Sequence, residues 1–556
     1  MVGAFVAAIT SAWAMDADGF VGNHQFVADL RGNLKPAVLD CLATAALALA
    51  YLAPKASAVD TGLTYFGLLF SLSAVATSMF NPALAIAPYL AGIAGFGGGG
   101  GLPLVNLIGG LAGAVLAGSV QNLPKAYFPR EAIGAFYVYL VVGTSSGGGI
   151  FGVLAIGATT LAFTKIFDAD LNPAVTLGTS YDPAVSVARN LRKSSRAILQ
   201  QLAGATFAAI LGASWLNGFD GAVEATEAFS IKAASAEVLA AFLLIKVYPV
   251  LRLERDPQIL GLSYFAILAA FSSTMGSVAN PALVVGRFLG NGLLPTFGDI
   301  GSGFDLSVGA MKPLLAHTLA PLVGAVLCAA WKWGFVKIEV EFQKLLFDVK
   351  LSRKMVKPGE LLGSFLLIVL LSAIGSGSPE ALLACGVALM AVLTMVPSQD
   401  LLPTITVGRI CSGMTLKSSR AQVMELLLSL CFQTLGAVLA IYLTIWLFGS
   451  GYTIGFTDAS MQDAAIRGFL LALILSLGWL SKQGHLATGL CYFVAASTCS
   501  GSLNPALAIN PAYMLGTCIH SLIAGSTVSV DGVLLVIVLV PLIGGLAGGF
   551  LVKLCQ

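Results

Sequence analysis

Apolar runs on the scale of a lipid bilayer recur from one end of this chain to the other, as at 361–375, 421–448 and 530–552. Crossing the hydrocarbon takes about 20 residues of helix. Within it every backbone amide needs a partner inside the chain, so unbroken apolar runs are read as helices. Only 10% of the 556 residues are charged and mean hydropathy is +0.90, whereas a soluble domain carries about 25% charged residues. The expected class is therefore all-α, a polytopic transmembrane helical bundle with the lipid bilayer as its first partner. The net charge of +2 points away from nucleic acid. The nine cysteines lie mostly inside apolar spans without metal-ligand spacing, so they read as small buried hydrophobes; no metal and no cofactor is expected. No cleavable leader is expected either, because the apolar start lacks basic residues.

A tripeptide punctuates these runs. Asn-Pro-Ala stands at Asn81, Pro82, Ala83; at Asn172, Pro173, Ala174; at Asn280, Pro281, Ala282; and at Asn504, Pro505, Ala506. A degenerate copy, Leu402, Pro403, Thr404, is identified by its flanks, since Asp400 to Gly408 parallels Asp170 to Gly178. Each copy follows an apolar span and precedes an apolar stretch of about ten residues, too short to cross a bilayer. The unit is span, span, re-entrant half-helix, span. Five units follow in order, near 1–120, 129–216, 230–334, 354–449 and 459–555.

Two subtypes alternate. The second and fourth open on Glu131-Ala-Ile-Gly134 and Glu360-Leu-Leu-Gly363 and close on Gln201-Leu-Ala-Gly204 and Gln433-Thr-Leu-Gly436. The others carry Asn-Pro-Ala-Leu, and the third and fifth close on Pro321-Leu-Val-Gly324 and Pro541-Leu-Ile-Gly544. Taken together, the motifs and the repeat resemble the aquaporin (major intrinsic protein) family across nearly the whole chain. The resemblance implies aquaporin-like tandem repeats in which two half-units of opposite topology make one pore. Residues 1–120 are then the C-terminal half of a unit whose partner half is absent, 121–345 a complete unit, and 346–556 a second complete but degenerate one. Gly3-Ala4 with Trp13 matches the spacing of Gly436-Ala437 with Trp446, which suggests an N-terminally incomplete three-unit protein; a natural chain of two and a half units is the alternative. Lys and Arg gather in the inter-unit links, as between Lys332 and Lys357, and after the first-type half-helices at Arg189, Arg192, Lys193, Arg196, Arg409, Lys417 and Arg420. Positive residues favour the cytoplasmic face, so a multi-pass integral protein with cytoplasmic links is expected.

Asn suits the N-cap of a half-helix and Pro its first position. Two such tips meeting at mid-membrane aim their positive dipole ends at one point, where asparagine amides can donate to a passing water or hydroxyl and oppose cations. Glu131, Glu237 and Glu360 lie within apolar spans; an intramembrane carboxylate is a functional candidate, and the resemblance implies that these acids brace the re-entrant loop. Asp40 takes that place in the first unit and Ala464 in the fifth. Trp13, Trp215 and Trp446 read as interface anchors.

The family places Arg after the second Asn-Pro-Ala. Here Leu84, Leu283 and Leu507 stand there, which removes a donor set and a charge barrier. By spacing, the rest of the selectivity filter is Leu268 and Ser277 with Gly152 or Phe151 in the middle pore, and Tyr492 and Gly501 near Leu382 in the last. Arg287 lies one helical turn beyond Leu283. The implied function is passive conduction of water or a small neutral solute, the pore being most intact in 121–345. A non-conducting aquaporin-like structural subunit of a larger membrane assembly is the alternative, and an oligomer is open. An enzyme is not expected: the four histidines, His24, His317, His485 and His520, pair with no nucleophile or metal motif.

Overall fold

A computed structural model describes residues 24–52, 58–72, 110–118, 129–145, 149–180, 185–215, 230–254, 257–271, 279–293, 307–348, 358–374, 379–396, 400–413, 419–448, 458–480, 488–493, 510–523 and 532–555. The described residues are helical and contain no strand. In order the main helices are α1 (His24–Leu52), α2 (Ala58–Leu72), α3 (Arg130–Ser145), α4 (Gly149–Phe167), α5 (Pro173–Ser180), α6 (Val187–Trp215), α7 (Ile231–Glu254), α8 (Pro257–Phe271), α9 (Pro281–Leu293), α10 (Val308–Asp348), α11 (Pro358–Ile374), α12 (Pro379–Met395), α13 (Pro403–Cys411), α14 (Ser419–Phe448), α15 (Asp458–Leu480), α16 (Pro511–Ile523) and α17 (Gly532–Cys555).

Proline opens α5, α8, α9, α11, α12, α13 and α16. Its missing N–H costs nothing in a first turn, where that donor has no partner in any case, and its fixed φ suits the helix. At the other end of α13, Gly413 at φ +74° donates its N–H to the Ile410 carbonyl at 3.1 Å, the left-handed stop that glycine adopts without strain. α5, α9, α13 and α16 are short, at 8, 13, 9 and 13 residues. By contrast, α10 runs unbroken for 41 residues, so the first part of the basic link beginning at Lys332 is helix, continuous with the span before it.

The chain divides into two compact units that cut across the repeat boundaries. In the unit of 1–176, 191–228 and 280–319, α2 packs on α4, α3 on α2 and α4, and α1 on α2 and α4. The Tyr137 hydroxyl donates to the Leu42 carbonyl at 2.9 Å, tying α3 to α1. In the unit of 177–190, 229–279 and 320–556, α15 packs on α17, α11 on α14, α13 on α17, and α8 on α7, α11 and α12.

Small residues let the backbones approach. A methyl group at Gly204 would overlap the Ala132 carbonyl oxygen, and one at Gly436 the Leu361 carbonyl oxygen. Gly324 sits likewise against the Val238 carbonyl and Gly544 against that of Phe469. Such close approach maximises van der Waals contact between helix backbones.

Among the described residues two segments are long and apolar enough to cross a membrane: Met311–Trp331, 21 residues with mean hydropathy 1.8, and Val423–Phe448, 26 residues with mean hydropathy 2.1. Shorter apolar helices of 10–17 residues include Phe151–Phe167, Gly359–Ile374 and Val538–Leu554. On α14 the outward residues are Val423, Leu427, Leu435, Leu439 and Trp446, while Glu425, Ser429, Gln433 and Thr444 are buried.

The glycine contacts yield a test. Gly436→Val forces overpacking against the Leu361 carbonyl and is expected to cost about 1–3 kcal/mol. Gly62→Ala, with nothing within 4 Å of its added carbon, is expected to be neutral or to stabilise by up to about 1 kcal/mol through helix propensity. Thermal unfolding in detergent, followed by intrinsic fluorescence, separates the two.

Candidate functional site

The backbone is strained at the same place three times. Leu171, Ala279 and Leu401 have φ of 59°, 53° and 61°. Each stands directly before a half-helix start, at Asn172, Asn280 and Leu402. A side-chain-bearing residue in this left-handed region costs about 1–2 kcal/mol, so something nearby must hold it there.

A carboxylate does so each time, fully buried at Glu237 and Glu360 and partly buried at Glu131. The Leu171 N–H donates to Glu131 Oε2 at 2.9 Å, the Ala279 N–H to Glu237 Oε2 at 2.9 Å, and the Leu401 N–H to Glu360 Oε2 at 3.0 Å. In two of the loops the preceding amide joins in, Asp170 N–H to Glu131 Oε1 at 3.0 Å and Asp400 N–H to Glu360 Oε1 at 3.1 Å. A charged acceptor makes these bonds stronger than neutral ones. Inside the protein the loop amides thus find partners within the chain.

A glutamine completes each of these two networks. Gln201 Nε2 donates to Glu131 Oε2 at 2.7 Å and to Thr176 Oγ1 at 2.8 Å. Gln433 Nε2 donates to Glu360 Oε2 at 2.7 Å and to Thr406 Oγ1 at 3.1 Å. The carboxylate, the loop and the second turn of the half-helix thus form one polar cluster on the following long helix. Gly134 and Gly363 leave room for the side chains of Leu171 and Leu401, which a methyl group at either glycine would strike.

The first two tips come together. Asn172 Oδ1 accepts from the Ala174 N–H at 2.9 Å and Asn280 Oδ1 from the Ala282 N–H at 3.1 Å, so each asparagine caps its own helix. Asn280 Nδ2 then donates to the Leu171 carbonyl at 3.3 Å, the residue just before Asn172. The N-termini of α5 and α9 therefore meet nose to nose. Asn172 and Asn280 are only 2% and 3% exposed, and Ala174, Ala282 and Leu283 are buried with them.

The fourth repeat differs. Leu402 starts α13 at φ −126° with no side-chain cap, and its carbonyl accepts from Ile405 N–H at 3.0 Å and Thr406 N–H at 3.1 Å. The half-helix is held at its other end by an ion triad. Arg409 Nε donates to both Asp400 oxygens at 2.9 and 2.7 Å, and another guanidinium nitrogen reaches Glu425 Oε1 at 2.7 Å. Arg409 is thus the last turn of a buried half-helix rather than a free loop cation. Arg189, Arg192, Lys193 and Arg196, by contrast, are exposed at the start of α6.

Of the filter candidates, Leu268 on α8, Leu283 on α9 and Tyr492 in the helical segment 488–493 are buried. Leu382, buried on α12, belongs to a helix that meets 488–493 at Gly386 and Gly489. Phe151 is half exposed and Gly152 closes on the Ser145 carbonyl. Arg287 is partly exposed on α9. Asp40 and His317 are buried on α1 and α10, and Trp446 is exposed in the last turn of α14. Asn81, Pro82, Ala83, Leu84, Ser277, Gly501, Asn504, Pro505, Ala506 and Leu507 lie outside the described residues.

Three features escaped the sequence reading. Gln201 and Gln433 stood there only as helix signatures, although an amide in an apolar span 70 or more residues from a buried acid is a partner to look for. The Asp400–Arg409–Glu425 triad needed the half-helix to bring residues nine and sixteen apart together. Finally, a further Asn-Pro-Ala, Asn510-Pro511-Ala512, was present in the letters. The described fifth-repeat helix starts there: the Ala512 N–H donates to Asn510 Oδ1 at 3.0 Å.

Two measurements follow. Glu360→Ala removes the acceptor for Asp400, Leu401 and Gln433 and is expected to cost at least about 2 kcal/mol in detergent unfolding, from buried groups left unpaired; Glu360→Gln, which keeps one acceptor oxygen, is expected to cost less. Arg409→Met strands two buried carboxylates and is expected to cost about 3–5 kcal/mol by the same assay. No family model, curated protein or solved structure matches the chain.

Proposed function

We propose that the chain is a polytopic membrane channel of aquaporin type that passively conducts water or a small neutral solute, with its principal pore formed by 121–345. The observation that carries this reading is the hydrogen bond from Asn280 Nδ2 to the Leu171 carbonyl at 3.3 Å. It brings the cap residue of α9 against the residue that precedes the cap of α5; in this reading two positive dipole ends and two asparagine-bearing tips face one gap. Such a gap favours oxygen acceptors without net charge and opposes cations.

Membrane placement has independent support. Long ridges of exposed Leu, Val and Trp on α14, with Glu, Gln, Ser and Thr buried behind them, invert the soluble pattern and suit lipid. Carboxylates inside apolar spans are costly unless bonded, and Glu131, Glu237 and Glu360 are each bonded to a loop amide. The exposed basic cluster opening α6 sets the cytoplasmic side. These groups position backbone and solute, and the reading assigns them no bond-making chemistry.

A specific observation favours a second reading, a non-conducting structural subunit of a larger membrane assembly. Asn280 gives its amide to the chain itself, and Asn172 and Leu283 are almost wholly enclosed. An apolar constriction of that kind excludes water by dewetting.

Osmotic swelling decides between them. Full-length protein reconstituted into phospholipid vesicles is expected to raise water permeability at least tenfold over empty vesicles in stopped-flow light scattering. Ala174→Trp or Ala282→Trp, which fills the gap at the tips, is expected to abolish most of that gain. Swelling no faster than empty vesicles would leave the structural subunit as the surviving reading.

A further inference from the structure

The exposed cations of α6 form a stripe. Arg192, Lys193 and Arg196 are spaced i, i+1 and i+4, and all three are exposed. Further along the same helix Leu199 and Phe207 are 64% and 61% exposed, and Ala203 between them is exposed as well. At 3.6 residues per turn these six side chains fall within about 120° of one another around the helix axis. Ser194, Gln201, Ala205 and Ala208 take the opposite side and are buried. The outward face of α6 is therefore cationic near its start and apolar beyond, with the two parts in line.

Nothing in the helix itself accounts for the cations. α6 contains no Asp or Glu, and cations near a helix N-terminus oppose the macrodipole instead of complementing it. The repeat does not require them either. Counted from the matching glutamines Gln201 and Gln433, the places of Arg192, Lys193 and Arg196 are held in α14 by Met424, Glu425 and Leu428. Met424 is exposed and Glu425 is turned in to Arg409. The fourth repeat thus shows an apolar surface where the second shows charge.

The height of the stripe along α6 fits a bilayer boundary. Gln201 is bonded to Glu131 and Thr176 in the loop cluster. At a rise of 1.5 Å per residue, Arg196 stands about 8 Å and Arg192 about 14 Å along the helix from that level. With the loop cluster near mid-bilayer, as in the channel reading, these distances end close to the edge of a hydrocarbon half-layer of about 15 Å. From such positions long basic side chains lay their stems on apolar surface and carry their charge outward, to the level of lipid phosphates.

Resting on the membrane placement in that reading and not on conduction, we propose that Arg192, Lys193 and Arg196 form a binding site for an anionic phospholipid of the cytoplasmic leaflet. The lipid phosphate sits among the three cations, and an acyl chain lies along Leu199, Ala203 and Phe207. Each basic residue at a membrane surface adds its own attraction to anionic lipid. A zwitterionic headgroup, which brings an ammonium of its own, gains much less.

The test titrates purified full-length protein in dodecyl maltoside micelles with dioleoylphosphatidylglycerol or dioleoylphosphatidylcholine and counts bound lipid by native mass spectrometry. The anionic lipid is expected to bind at least tenfold more tightly than the zwitterionic one. The triple variant Arg192→Gln/Lys193→Gln/Arg196→Gln is expected to lose that preference while keeping its thermal unfolding midpoint in micelles without added lipid. Taking the same charge from the link, with Lys350→Gln/Arg353→Gln/Lys354→Gln, is expected to leave the preference intact. Equal binding of the two lipids by the parent protein, or an equal loss in both triple variants, overturns the site. Millimolar glycerol 3-phosphate is expected not to displace the lipid; displacement makes the stripe a site for free phosphate and overturns the lipid as its occupant. Selective binding by a protein that gives no osmotic swelling upholds the site and removes the channel. A chain that stays in solution without detergent removes the membrane reading, and the lipid site with it.

Discussion

A glutamate in an apolar helix accepting from a left-handed backbone amide is the interaction on which the rest of this structure depends. Glu131, Glu237 and Glu360 each hold the residue that turns the chain into a half-helix. Without that bond the turn carries both a conformational penalty and an unpaired buried donor. Given that bond, the next residue can cap a helix starting in mid-bundle, and two such helices can face each other. The carboxylates are thus structural in the strict sense that they set where a helix begins.

The same device appears twice with its glutamine and threonine partners intact, yet the two copies have diverged at the tip. Around 172 the network ends in an asparagine, whereas around 402 it ends in a leucine with no side-chain cap. The second copy instead clamps its half-helix with Asp400, Arg409 and Glu425. A guanidinium bridging two carboxylates is a stiff link, and it fixes the far end of α13 where the first copy relies on its cap. The scaffold has therefore been retained while the chemistry at the gap has been altered, as expected when the supporting shell and the tip answer to different constraints.

Much of this was legible in the letters. Helical class followed from unbroken apolar runs, the repeat from a recurring tripeptide, and the acids from their improbable place in apolar spans. Pairing of Asn172 with Asn280 was a reading of the resemblance, and the coordinates bring the tip of α9 onto Leu171. The half-helix register at the C-terminal end was not read, although Asn510-Pro511-Ala512 was visible. Two copies six residues apart are equivalent to a motif search; the described half-helix begins at the second, where the Ala512 N–H donates to Asn510 Oδ1.

Sequence alone determined where helices start and stop, because proline, asparagine and glycine act through their own backbone chemistry within one turn. It also determined which residues were too polar for their surroundings and so required partners. Tertiary structure alone decided which partners those were. The bonds joining 131 to 171 and 201, 237 to 279, and 280 to 171 close loops of 40 to 109 residues. No local preference specifies such closures; they follow from how closely glycine-faced helices can pack.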